Sequence, residues 1–345
     1  MYEKDGEQYY IVDAHIAFWD ASPENRNKFG EGFIKCFYDY HRNLSPAEYL
    51  WPFDEKFVKY TEEDLMHDIF EVGYADHAIF QPVFLGDFYT NGFHTPEMVA
   101  PIAERHPGLL TVNGTFEPRF GKKGLGYLES LHEQYGIKGV KLYTAEWKGD
   151  SRGWKLDSPE AALYLEKCQE LGIKNIHVHK GPTVYPLDLD AFDVTDVDGA
   201  ATNFPELNFI VEHVGLPRLE DFCWIATQEA NVYAGLAVAM PFIYTRPRYF
   251  AQVIGELLYW LNEDRILFSS DYAIWQPKWL VEMFVDFQIP EDMQSEFGVL
   301  TTDIKKKILG LNAAALYDLD VPAELDVVSG DTAGAAVGSE PLSPA

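Results

Sequence analysis

Cysteine is scarce: Cys36, Cys168 and Cys223 are the only three in 345 residues, and none stands at a paired spacing. That excludes a disulfide framework and a cysteine-ligated zinc site, and a reducing, cytoplasmic setting fits best. Positive charge is scarce too. Twenty-seven basic residues face 55 acidic ones, for a net charge of −28. Such a field repels polyanions, which excludes a general nucleic-acid binder and a protein that docks on an anionic membrane surface. No apolar run approaches the ~18 residues of a spanning helix. The opening MYEKDGEQYY does not read as a signal peptide. There is no glycine-rich phosphate loop and no fixed-period repeat.

What the chain has instead is apolar mass. Hydrophobic residues make up 47% and aromatics 15%, ample for a sizeable core and unlike a disordered acidic chain. Eight short apolar runs read as strands: 10–15, 76–83, 109–116, 139–143, 175–179, 208–213, 232–238 and 266–271. Helical patterns fall at 61–74, 95–106, 124–135, 158–172, 218–230, 247–262, 276–287, 290–297 and 301–309, and 186–203 reads as loop and short helix. Thr61 is placed as an N-cap, and Pro159 as the first residue of its helix. Regular alternation implies parallel pairing with right-handed crossovers. Eight such units predict an α/β fold, a (β/α)8 TIM barrel over residues 1–320. The alternative, an open doubly wound sheet, usually has fewer strands and a phosphate loop.

Two segments stand outside the repeat. Residues 19–60 form an aromatic-rich insertion after strand one, read as a helical cap over the barrel mouth or a lid that excludes water. Residues 321–345 are rich in Ala, Gly, Ser and Pro, carry acids but no bases, and are expected to be disordered.

Reactive residues of such a barrel stand at the C-terminal ends of strands. Strand one ends in Asp13-Ala14-His15-Ile16-Ala17, strand five in His177-Val178-His179-Lys180, strand six in Glu212-His213 and strand eight in Ser270-Asp271. Four of ten histidines therefore sit at three strand ends. Imidazole and carboxylate together suit zinc, manganese or iron.

Here the chain resembles the amidohydrolase superfamily, in the branch of the aminocarboxymuconate-semialdehyde and resorcylate decarboxylases. The carriers are Asp13-Ala14-His15-Ile16-Ala17 for the family's D-x-H-x-H, His179 in HVHKG, His213 in VEHVG, Asp271 in FSSDY, and KILGLNAAALY near the end. The resemblance covers roughly residues 9–319. It implies one divalent metal, zinc first and manganese or iron next, on His15, His179 and Asp271. It implies catalytic roles for Asp271, as proton acceptor from a metal-bound water or proton donor to carbon, and for His213, which steadies a carbonyl oxygen or guides a proton. The reaction is hydrolysis of a C–N or C–O bond, or non-oxidative decarboxylation of an aromatic or enoic acid. A homodimer is also implied. One departure stands out: Ala17 replaces the second histidine of the strand-one pair.

Other polar residues complete the reading. Arg119, Lys141 and Lys180 are candidates to pair a substrate carboxylate, or form local salt bridges. Trp275, with Trp147 and Trp154, is a candidate wall for an apolar or aromatic small-molecule substrate. His177 is expected to support the site from behind. Glu212 is expected to face away from the barrel if His213 faces in. His41, His67, His77, His94, His106 and His132 are read as structural or exposed. The rival function, from another class, is a barrel with a degenerate metal site acting as a binding or maturation accessory. Stretches such as GVKLYTAEW and HVHKGP resemble those of accessories of soluble di-iron monooxygenases, which implies a monooxygenase partner.

Overall fold

A computed structural model describes residues 1–54, 56–323 and 325. Eight parallel strands enclose the core. They are β1 (Val12–Ile16), β2 (His77–Phe80), β3 (Leu110–Val112), β4 (Gly139–Leu142), β5 (Asn175–His179), β6 (Asn208–Glu212), β7 (Val232–Gly235) and β8 (Ile266–Leu267). They pair as two arcs, β1–β2–β3 and β4–β5–β6–β7–β8. Single bridges close the ring: Gly114 with Val140 joins β3 to β4, and Ile16 with Tyr272 joins β1 to the chain beyond β8. The Ala14 amide adds a 3.0 Å hydrogen bond to the Phe268 carbonyl. The fold is the expected TIM barrel.

Helices fall where patterning and caps place them. Thr61 and Asp64 form a capping box at the start of Glu62–Met66, and the Ser158 hydroxyl accepts from the Ala161 amide ahead of Pro159–Leu171. Two expected helices change pitch. Glu62–Met66 continues as a π-helical turn over His67–Glu71, and Thr302–Lys306 does the same over Lys307–Leu311 before Asn312–Tyr317. The second wide turn brings Gly310 against the Tyr10 carbonyl, a place with no room for a Cβ.

β8 is shorter than the pattern 266–271 suggests. The chain leaves the ladder because the Ser270 amide donates to Asp13 Oδ1 at 2.9 Å and Asp271 turns into the left-handed region, φ 58°. Side-chain chemistry thus overrides the apolar run. Of the expected tail, only 321–323 and 325 lie among the described residues.

Residues 19–60 contain the helix Gly30–Leu44 and two short 3-10 turns. Trp19 is their hub: it stacks on Phe93 with centroids 5.3 Å apart, and its indole N–H donates to the Phe57 carbonyl at 2.7 Å. Ring side chains make several of the bonds that tie this segment to the barrel loops. His41 Nδ1 donates to the Ile274 carbonyl at 2.7 Å, the Tyr60 hydroxyl to the Ala273 carbonyl at 2.8 Å and the Tyr40 hydroxyl to the Thr183 carbonyl at 2.9 Å. His41 Nε2 also accepts from the Trp51 amide at 2.9 Å.

The His41 clamp works only while the imidazole is neutral, because a protonated ring has no lone pair for Trp51. Burial pushes its pKa down to about 4 from the ordinary 6.5. Between those values the unfolded chain binds a proton that the folded ring refuses. The clamp's contribution is therefore full above pH 6.5 and lost as pH falls toward 4. His41→Ala is expected to lower stability at neutral pH by about 2 kcal/mol, from two lost buried hydrogen bonds. The melting-temperature gap between wild type and variant should shrink as pH is lowered. A gap independent of pH would show that packing, not the imidazole bonds, holds the segment.

Candidate active site at the barrel mouth

Strand register builds the site. Lys141, His177 and Ile210 are paired neighbours across β4, β5 and β6, and His179, Glu212 and Gly235 form the next tier across β5, β6 and β7. Neighbours in register share a face. Each tier therefore presents its polar groups to the same interior. Gly235 has a specific reason to lack a side chain: a Cβ there would run into the Glu212 carboxylate. The bare backbone of β7 leaves the space that the carboxylate fills.

Glu212 corrects one expectation. It does not face away from the barrel; it lies fully buried inside, and so does His213. Both point inward because the chain enters the left-handed region right after β6, with φ 66° at His213 and 47° at Val214. Alternation holds only while the strand continues. Non-glycine residues at positive φ are uncommon, and here His213, Val214 and Asp271 all lie at the site.

Glu212 is the centre of the polar cluster. His177 Nδ1 donates to Oε1 at 2.6 Å, and His177 Nε2 meets the Tyr317 hydroxyl at 2.8 Å. His15 Nδ1 stands 3.0 Å from Oε2, out of line for a full hydrogen bond. Lys141 Nζ lies 3.9 Å from Oε1 and has no hydrogen-bond partner among the described residues. Above them, His15 Nε2 is 3.6 Å from Asp271 Oδ1 and His213 Nδ1 is 3.9 Å from Oδ2. His213 Nδ1 also faces the Ala237 carbonyl at 3.1 Å, so it carries the hydrogen. Nε2 of His213 then accepts from His179 Nδ1 at 2.8 Å.

Charge follows from burial and from Lys141. Burial, then the Lys141 ammonium, push the His15 pKa down to about 4. The same two causes lower His179 and His213, His213 adding to the effect on His179. Burial lowers His177 as well. All four rings are neutral at pH 7. Burial opposes ionisation of Glu212, but His15 and Lys141 outweigh it and hold the carboxyl well below its ordinary value. Since His15 is itself neutral, Lys141 is the counter-charge that matters at pH 7. Burial raises Asp271, with Glu212 and Asp13 adding and Lys141 opposing. Burial pushes Asp13 up to about 7 despite its bonds from Ser270.

Lys141, Tyr143, His15, His179, His213 and Asp271 border one cavity of about 40 Å³. Trp19, Phe37 and Tyr40 of the insertion form its outer wall, with Ala17 and His94 beside them. This is far below the ~300 Å³ of a typical ligand pocket. A larger cleft of about 460 Å³, bordered by Phe84, Phe116, Phe120 and Glu146, lies off the axis and holds none of these histidines.

The other candidates are committed elsewhere. Arg119 is ion-paired with Glu117 and donates to the Glu146 carbonyl at 2.8 Å and Ser151 Oγ at 2.9 Å. Lys180 is bound to Asp196 at 2.7 Å and Thr144 at 3.1 Å. Trp275 is fully buried and does not line the cavity. Sequence reasoning missed Glu212 and the wall role of His94. A signal for Glu212 existed in its position beside His213 at a strand end, but the left-handed turn that aims it inward leaves no mark in the sequence.

The donor set does not fit the implied metal. A zinc site needs three protein ligands converging within ~2.0–2.2 Å of one point. His15 Nε2 and Asp271 Oδ1 stand at a separation two ligands can have, 3.6 Å. His179 does not join them: its Nδ1 donates to His213, and neither of its ring nitrogens comes within 4.0 Å of the Asp271 carboxylate, as those of His15 and His213 do. Among the described residues no three His, Cys, Asp or Glu side chains form a metal-binding group.

Removing one member of a buried charge pair strands the other, at about 3–5 kcal/mol. Glu212→Gln is expected to destabilise by that order in urea, and Glu212→Gln/Lys141→Met to recover part of the loss. Gly235→Ala should cost about 1–3 kcal/mol through overpacking. A loss under ~1 kcal/mol for Glu212→Gln would mean that Lys141 finds its counter-charge elsewhere.

Comparison with known proteins gives the same architecture. No curated protein matches the sequence. An uncharacterised TIM-barrel protein of Bordetella bronchiseptica superposes with a TM-score of 0.66 at 18% identity, over 90% of this chain and 99% of the other. A 2,6-dihydroxybenzoate decarboxylase complexed with 2,6-dihydroxybenzoate gives 0.59 at 14%, over 90% and 100%. A dihydroxybenzoic acid decarboxylase of Polaromonas with bound manganese gives 0.57 at 13%, over 92% and 99%. These likenesses speak to the fold. The amidohydrolase family model matches residues 12–319, nearly the whole barrel, and the chain belongs to the amidohydrolase family.

Proposed function

We propose that this barrel is an enzyme that binds a small, flat aromatic acid by its carboxylate and removes that carboxylate as carbon dioxide, without oxidation. One observation carries the reading: the Lys141 ammonium and the Tyr143 hydroxyl are both buried, both lack a hydrogen-bond partner among the described residues, and both border the cavity that Asp271 borders. Buried donors of this kind are costly unless something accepts from them. A substrate carboxylate supplies two acceptor oxygens of the right charge. Aromatic walls from Trp19, Phe37 and Tyr143 suit a ring. 2,6-Dihydroxybenzoate, bound in one of the similar structures, is a molecule of this class.

The chemistry balances with the chain's own groups. Asp271, its carboxyl raised by burial, donates a proton to the ring carbon that bears the carboxylate. The carbon–carbon bond then breaks, its electron pair restores the ring, and carbon dioxide leaves. Solvent returns the proton to Asp271. His15 and His213 stand 3.6 and 3.9 Å from its two oxygens, beyond direct hydrogen-bond reach, and border the carboxyl on either side. Hydrolysis of a C–N or C–O bond would instead require Asp271 ionised, to take a proton from water. Its raised carboxyl favours the donor role. Zinc is given no part, because the donors do not converge. The cavity must widen to admit a ring, and the segment that closes it, 19–60, is the natural lid.

The test uses 2,6-dihydroxybenzoate and a panel of hydroxybenzoates. Calorimetry is expected to show binding by the wild type and a loss of at least about tenfold in Lys141→Met, the worth of one charge-assisted contact. Asp271→Asn should keep binding while turnover, followed as carbon dioxide release in deuterated water, falls by about 10²–10⁴-fold. If no aromatic acid binds, the accessory reading replaces this one.

A further inference from the structure

The mismatch between the donor set and the family's metal has a physical counterpart inside the barrel. The cavity already contains a buried amine, Lys141, whose pKa burial lowers to about 8 against the pull of Glu212 and Asp271, so that it is mostly charged at pH 7. Lys141 Nζ is 1% exposed, projects from β4 into the space between β1, β5, β6 and β8, and borders the same cavity as His15, His179, His213 and Asp271. Its charge is felt by every one of those residues, and by His94, His177 and Glu212. Its nearest carboxylate, Glu212, lies inside the barrel at 3.9 Å and is kept there by the missing Cβ of Gly235. Ala17, where the family has an imidazole, contributes no donor to the cavity wall.

We infer that the Lys141 ammonium takes the electrostatic place of the divalent ion, so that this barrel works as a metal-independent member of its family. A divalent ion placed among His15, His179 and Asp271 would share the cavity with a buried like charge in a low-dielectric interior, where repulsion is strong. Three of the imidazoles are already engaged in hydrogen bonds: His177 with Glu212 and Tyr317, His179 with His213, and His213 with Ala237. The ammonium supplies positive charge for a substrate anion, as a metal would, but as a donor of hydrogen bonds and with no open coordination position. This inference rests on the proposed function only for the identity of that anion. The metal measurements need no substrate, so the two readings fail separately.

The experiment is a metal-content series. Wild type, Ala17→His and Ala17→His/Lys141→Met are each expressed with added manganese and zinc, purified without chelator, and analysed by mass spectrometry for bound metal. Titration with each ion alone follows, read by calorimetry and by thermal shift. Wild type and Ala17→His are expected to bind no ion tightly, and wild type to melt at the same temperature with or without EDTA. The double variant, with the imidazole restored and the ammonium removed, is expected to gain zinc or manganese affinity by at least about tenfold over Ala17→His, since a neutral imidazole is a good ligand once the like charge is gone. About one ion per chain in the wild type, near the occupancy of a real site, overturns the inference. So does Ala17→His binding as tightly as the double variant, because the alanine and not the lysine would then keep metal out. A folded double variant with no gain also overturns it. Should the double variant fail to fold by circular dichroism, Ala17→His decides: tight binding refutes the inference and its absence supports it.

Discussion

One buried carboxylate organises the mouth of this barrel. Glu212 sits where no water reaches, and its charge is tolerable only because Lys141 and His177 stand around it. Such a pair contributes little net stability, because desolvation of both charges offsets their attraction. Its consequence is arrangement. The carboxylate fixes the tautomer of His177, which in turn meets Tyr317 of the closing helix Asn312–Tyr317. Asn113 donates to the same hydroxyl at 2.7 Å and to Gln81 at 3.0 Å. A polar thread thus runs from the last helix through the barrel interior to the site. Gly139 leaves room for it, since a Cβ there would crowd the Tyr317 hydroxyl and Asn113.

The Lys141 ammonium then sets the character of everything above it. It adds to the burial that lowers the neighbouring imidazoles and works against burial at Asp271. Burial wins at Asp271, whose carboxyl is raised, while the counter-charge wins at Glu212. Two carboxyls of one polar cluster are thereby shifted in opposite directions, the pattern by which enzymes obtain a proton donor beside an anion. Arg119 and Lys180 do not share this role, because Glu117 and Asp196 already bind them.

The aromatic insertion supplies the other half of the environment. Trp19, Phe37 and Tyr40 exclude water from a space of about 40 Å³, and low dielectric strengthens each charge inside. His41, Tyr60 and Tyr40 hold that wall to backbone carbonyls of the loops after β8 and β5. The first of those loops carries Asp271 and the second follows directly on His179, so the wall and the reactive groups rest on the same supports.

Much of the architecture was legible from residue order alone. Eight apolar runs alternating with capped helical patterns admit few solutions, and periodicity and caps are local properties that a sequence carries directly. His15, His179, His213 and Asp271 could be nominated because strand ends of a barrel converge. Their final relations could not be read. Whether His179 meets a metal or His213 depends on ring orientation, which Tyr143, Phe192 and His213 packed against it decide. Whether Glu212 faces in or out depends on the left-handed turn at His213 and on the space above Gly235. Which of Lys141, Lys180 and Arg119 stays uncommitted depends on acids brought in from distant strands and loops. Sequence determines which groups each strand carries and in what period. Only the closed barrel decides which of them share one dry cavity, because charge and hydrogen bonding act through distances that chain order does not contain.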